Sequence, residues 1–183
     1  MNGNLLSTLW PRSTTLHKAV AVGLGVIILT LASKVQVPFW PVPMTLQALA
    51  VLMIGATAGL RLGAGTVLAW LALGAVGVPV FATGAGLAYL VGPTGGYLAG
   101  FLLAAAVVGW LADRGHGRTV VSAIAMLVAG EVAIYALGLG WLSVLFGAEK
   151  AVAVGLLPFI PAEILKVALG TAILTAAWTK AKR

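Results

Sequence analysis

The chain has 183 residues, 61% of them apolar and 8% charged, with a mean hydropathy of +1.10. Soluble domains are about 45–50% apolar and roughly a quarter charged, and a folded chain of this size hides only about 70% of its surface. Its 11 basic and 4 acidic side chains cannot coat so much hydrocarbon, so a soluble enzyme is excluded and a single multi-span membrane domain over 1–183 is expected.

Other totals narrow the class. Cysteine is absent, which removes disulfides, thiolate metal sites and thiol nucleophiles. His17 and His116 stand beside Lys18 and Arg114, apart from each other and from any carboxylate cluster, so they suit membrane-flanking positions better than metal ligation, and no cofactor is expected. The net charge of +7 does not imply nucleic acid, because the basic residues fall between apolar blocks and form no patch. The 24 glycines suit close helix packing in lipid, where small residues let backbones approach.

In chain order the apolar blocks predict six transmembrane helices near 17–34, 45–60, 62–78, 91–112, 119–137 and 160–179. A 19-residue helix spans about 28 Å, close to the hydrocarbon thickness. The second block is short, and only Gly59, Leu60 and Arg61 separate it from the third. Lys34 and Lys150 fall in the odd connections. Arg12, Lys18, Arg61, Arg114, Arg118, Lys180, Lys182 and Arg183 fall in the even connections and at the termini. The positive-inside rule therefore predicts both termini in the cytoplasm. A cleavable leader over 1–34, cut near Ala32-Ser33, is the competing reading; its apolar part is long for such a segment, and its loss would spoil the charge pattern.

Function in such a chain lies in the polar groups kept at depth. Glu131, Glu163 and Lys166 are the ionisable residues well inside apolar blocks, each costing about 2.5–3.5 kcal/mol at mid-helix on insertion scales. Glu163 and Lys166, spaced i,i+3, suit either a pair that merely neutralises itself or a binding site; buried ion pairs seldom improve on apolar packing, which favours the site. Pro161 suits the first turn of the last helix, where its missing N–H costs nothing, and puts Glu163 near the positive helix end. On the fifth helix Glu131 stands about 18 Å from the cytoplasmic start, with Tyr135 one turn higher. All four side chains are expected at one level, nearer the external face.

The outer connections suit the mouth of a pocket. In the first, Pro38, Pro41 and Pro43 enforce an extended segment, and Phe39 and Trp40 suit either an interfacial belt or the roof of a ligand site. The segment from Gly77 to Tyr97 is uncharged and glycine-rich. It lacks the Lys and Ser/Thr of a phosphate-binding loop. Asp113 is the only aspartate, so no acid cluster serves a metal-dependent lipid enzyme.

Four stretches carry a resemblance: Pro41-Val-Pro-Met-Thr-Leu-Gln47, Gly77-Val-Pro-Val-Phe81, Gly92-Pro-Thr-Gly-Gly-Tyr-Leu-Ala-Gly100 and Pro158-Phe-Ile-Pro-Ala-Glu-Ile-Leu-Lys166. In order and spacing the chain, over about 17–180, resembles the BioY family, the biotin-binding S components of energy-coupling-factor (ECF) transporters. The resemblance implies a six-helix, all-α subunit that holds biotin near the outer face of the cell inner membrane. It also implies partners, a transmembrane coupling protein and ABC ATPases, docking on small residues of the first helix, here Ala19, Ala21, Gly23 and Gly25. The last stretch departs from the family's Pro-Gly-Asp-x-x-Lys in having Glu163 as its acid, one methylene longer.

Biotin offers a ureido ring with one acceptor and two N–H donors, an apolar thioether ring and a carboxylate. Under the resemblance Glu163 accepts from the ureido N–H groups and Lys166 orients it or donates to the carbonyl. Thr45, Gln47, Tyr97, Glu131 and Tyr135 complete the polar set, Trp40, Phe81 and Tyr89 cover the ring, and Lys34 is a candidate for the carboxylate. A self-sufficient biotin transporter without ATPases is the alternative from the same residues. A membrane enzyme acting on lipid lacks a nucleophile–base pair.

Overall fold

The structure is a computed structural model and describes residues 3–9 and 14–181; Arg12, Lys182 and Arg183, used above for sidedness, lie outside the described residues. The elements in order are α1 (Leu5–Leu9), α2 (Thr15–Lys34), β1 (Gln36–Val37), β2 (Met44–Thr45), α3 (Gln47–Ala75), α4 (Leu87–Leu90), α5 (Gly95–Asp113), α6 (Val120–Phe146), α7 (Ala148–Gly155) and α8 (Ile160–Ala181). Among the described residues five helices, α2, α3, α5, α6 and α8, are long and apolar enough to cross a membrane.

The second and third expected blocks run together as the single element α3, which folds into two helical segments. It is helical on either side of Gly59, whose φ of 77° breaks the run; that left-handed region suits glycine alone. The chain turns back there: Gly63 packs on the backbone of Gly55, although eight residues of straight helix would hold them about 12 Å apart. The segments 47–58 and 60–75 are thus a helical hairpin, about 18 and 24 Å long. Arg61 at the turn is accommodated at the basic end of the molecule.

Asp113 secures this turn. Its Oδ2 accepts from the Leu60 amide at 3.0 Å and its Oδ1 from Asn4 Nδ2 at 2.7 Å, so one carboxylate caps the second half of α3 and ties down α1. An acceptor at a helix start satisfies a backbone donor that nothing else reaches. Asp113→Ala is expected to destabilise the protein by about 1–2 kcal/mol, with Asp113→Asn recovering part of the loss; thermal unfolding of the detergent-purified variants is the measurement, and an unchanged midpoint for the alanine would remove Asp113 from the clasp.

The remaining ends have identifiable starts. Thr14 caps α2 in a reciprocal pair with His17, whose Nδ1 accepts from the Thr14 amide at 3.2 Å. Thr119 accepts from the Ser122 amide at the start of α6, with His116 Nδ1 3.3 Å from Ser122 Oγ. Both histidines therefore serve helix ends. At the same end, the Arg118 guanidinium donates to the Gly3 carbonyl at 3.0 Å and lies 4.6 Å from the Trp178 ring. Lys34 closes α2 and Lys150 rides on α7 at the other end, which matches the predicted sidedness.

α5 is the central helix, packed against α3 on one side and α6 on the other. It starts at Gly95, later than the expected 91, because residues 87–90 make the separate turn α4. α6 runs to Phe146, well past the expected 137. The tertiary contacts hold the helix on through Gly138 and Gly140: Tyr97 packs against Gly138, Leu142 is fully buried, and Trp141 Nε1 donates to the Gly92 carbonyl at 2.9 Å. The proline-rich first connection is a short hairpin, β1 and β2 pairing antiparallel with Gln36 opposite Thr45 and Val37 opposite Met44.

Candidate functional site

Five elements, α8, α6, α3, β2 and α5, bring the polar set together. Glu163 lies in the first turn of α8 and Lys166 one turn on, so both point the same way. Tyr135 comes from α6, and Gln47, at the start of α3, comes directly after β2, which carries Thr45. Lys166 Nζ pairs with Glu163 Oε1 at 2.9 Å, and Tyr135 Oη donates to the same oxygen at 3.1 Å. Thr45 Oγ1 donates to Gln47 Oε1 at 3.0 Å. Tyr97 Oη donates to the Gly155 carbonyl at 2.7 Å, joining α5 to the end of α7.

These groups line one cavity of about 30 Å³, roofed by Val42 and Pro43 of the hairpin turn and walled by Phe159. Among the described residues two of its polar atoms lack any partner, Glu163 Oε2, an acceptor, and Gln47 Nε2, a donor. A buried polar atom left unpaired costs about 1–3 kcal/mol. A free acceptor and a free donor on one cavity are a recognition pair for a solute that carries both.

Six of the ten residues expected at the site are brought together: Thr45, Gln47, Tyr97, Tyr135, Glu163 and Lys166. Four are not. Glu131 is buried but lines a neighbouring cleft between α6 and α8, because it sits one turn before Tyr135. Trp40 is 67% exposed at the outer rim, its ring 5.9 Å from Phe146. Phe81 and Tyr89 stack at 5.1 Å in a separate aromatic cluster with Trp70; the long outer segment folds down beside α3, and Phe81 seats on Gly74. Lys34 belongs to that cluster too, donating to the Phe81 carbonyl at 2.6 Å.

Phe159, Phe101 and Ile134 line the cavity without having been singled out. Phe159 lies in the quoted Pro158 motif, and Phe101 follows Tyr97 by four residues, one helical turn. Ile134 carries no signal in the sequence. On α2, Gly25 is buried against Thr66 while Ala19 and Gly23 are exposed and Gly23 has open space before it. Residues two apart on a helix point roughly opposite ways, so the expected docking residues split: Ala19 and Gly23 on the free face, Ala21 and Gly25 toward α3.

A helical membrane protein with a partly enclosed polar site under an outer hairpin is the class that this architecture defines. Its fold is that of the S-component for biotin from an ECF-type ABC transporter, a crystal structure that superposes with a TM-score of 0.73 over 90% of this chain and 93% of that one, at 24% sequence identity. The profile of the BioY family matches residues 6–183, and the chain belongs to that family. A protein of Pyrococcus horikoshii, named as a probable biotin transporter BioY, is 38% identical over 83% of this chain and 90% of its own length. Biotin transporters BioY of Rhizobium etli and Thermotoga maritima are 38% and 36% identical, covering 84% and 86% of this chain and 84% and 94% of their own lengths.

Proposed function

We propose that this protein is the biotin-binding subunit of a vitamin uptake system of the cell inner membrane, a transporter component and not an enzyme. It takes biotin from the outer face and passes it inward with an ECF coupling protein and ABC ATPases. The observation that carries this is the free acceptor of Glu163 and the free donor of Gln47 on one partly enclosed cavity. A ureido N–H donates to Glu163 Oε2, and the ureido carbonyl accepts from Gln47 Nε2. In the resting site Lys166 and Tyr135 both donate to Glu163 Oε1 and aim its carboxylate. Phe159 and Phe101 meet the apolar ring.

The cavity of about 30 Å³ has room for one or two waters, whereas vitamin-sized ligands occupy pockets of about 300 Å³ or more. Biotin therefore enters by lifting the hairpin turn that carries Val42 and Pro43. Lys150, with its ammonium 5.3 Å from the Trp40 ring centroid, meets the carboxylate as the tail emerges at the rim, since Lys34 is already engaged with Phe81.

Binding of tritiated biotin to the purified chain tests the proposal, and no saturable binding refutes it. Uptake in a host with and without the coupling proteins then decides between the subunit and a self-sufficient transporter; sustained accumulation without them favours the latter. Gly23→Leu fills the free face of α2 and is expected to leave binding by the purified chain unchanged while lowering module-driven uptake tenfold or more. Equal uptake by that variant would move the docking surface elsewhere.

A further inference from the structure

Glu131 remains outside the cavity and outside the scheme above. Its residue is 8% exposed, and neither carboxylate oxygen has a hydrogen-bond partner among the described residues. It lines a cleft of about 360 Å³ between α6 and α8 whose other walls are apolar except for Tyr135 and Glu163. Tyr135 and Glu163 also line the solute cavity, so their hydrogen bond is the partition between the two spaces.

Charge counting at this partition does not balance. The groups facing Glu131 are Glu163 and Lys166 of α8; Tyr135 lies one turn on along α6, and Tyr97 of α5 sets its ring 5.8 Å from that of Tyr135 while its hydroxyl is engaged with the Gly155 carbonyl. Two carboxylates thus share one ammonium, and that ammonium is committed to Glu163 at 2.9 Å. A second carboxylate without a counter-charge or a donor is not sustained in a hydrocarbon setting.

We propose that Glu131 is a proton-binding site linked to the solute site, holding one proton while Lys166 is paired with Glu163 and releasing it when a solute engages Glu163. The step rests on the biotin reading above. A ureido N–H at Glu163 Oε2, with Tyr135 still donating to Oε1, takes over the solvation of Glu163, Lys166 turns its ammonium to Glu131, the Glu131 O–H bond breaks, and the proton passes to water on the outer side. The cluster keeps the same number of ion pairs, and solute occupancy is converted into a change of net charge inside the membrane.

Two measurements test this. In the resting protein, infrared spectroscopy is expected to show the carbonyl stretch of a protonated carboxyl that Glu131→Gln removes and Glu131→Asp displaces; a spectrum without it, or one unchanged by both substitutions, overturns the proposal whatever the protein binds. Calorimetry of biotin binding in buffers of different ionisation enthalpy is expected to give about one proton released per biotin for the parent and about none for Glu131→Gln, with affinity of the parent tightening about tenfold per pH unit while the resting protein holds the proton. Equal release by parent and variant overturns it. If the parent binds no biotin, the ligand assignment fails alone and the infrared result still decides the proton site. Should Glu131→Gln not accumulate as folded protein, displacement of the band in Glu131→Asp carries the decision.

Discussion

Lys166→Met is expected to weaken biotin binding by about tenfold to a hundredfold, the loss of a charge-assisted contact of about 1.5–3 kcal/mol, and to destabilise the fold as well. The ammonium donates to Glu163 Oε1 at 2.9 Å, and its residue is 7% exposed. Its removal leaves Glu163 with a single donor, Tyr135. Breaking one half of a buried pair costs about 3–5 kcal/mol, whereas replacing both halves with apolar groups is often neutral. The double variant Glu163→Leu/Lys166→Met is therefore expected to recover most of the stability lost by Lys166→Met while binding remains lost. Thermal unfolding in detergent and equilibrium binding of tritiated biotin read the two effects separately. A double variant that still binds biotin within twofold of the parent would show that the pair only neutralises itself.

Gly109→Ala is expected to destabilise the protein by about 2–3 kcal/mol, the upper part of the range for forced overpacking. A methyl at this position would lie 2.6 Å from the Gly59 carbonyl carbon and from the Leu60 amide nitrogen. Both are backbone atoms at the turn of α3, held by the Asp113 cap, so neither yields as a side-chain tip would. The substitution pushes α5 away from the hairpin at the crossing that sets how α3 sits against α5. Its signature is a lowered unfolding midpoint with biotin affinity in the surviving folded fraction close to that of the parent, because the site lies toward the opposite end of these helices. Gly23→Ala, with open space around it, is the matched control and is expected to leave the midpoint unchanged; equal midpoints for the two variants would contradict the crossing.

Among the site residues, Glu163 and Lys166 were legible because a charge in an apolar run is costly and a spacing of three places both on one helix face. Tyr135 followed from counting rise along α6. Gln47 and Thr45 were legible only through their motif. Glu131 lines the neighbouring cleft, since depth along a helix does not say toward which neighbour a side chain turns. Phe81 and Tyr89 lie away from this cavity for a related reason: an aromatic in a loop beside a pocket motif packs wherever the loop folds, and here it folds onto Trp70 and Gly74.

Composition and charge order alone determined that this chain lives in a bilayer, which end of each helix is basic, and which ionisable groups are kept at depth, because transfer free energies and the positive-inside bias act on residues one at a time. Tertiary structure decided the rest: that Asp113 clasps the turn at Gly59, that α6 continues through Gly138 under the packing of Tyr97 and Leu142, and which carboxylate faces the cavity. Those outcomes depend on pairs of surfaces far apart in the chain, and the energy of a contact is not a property of either residue by itself.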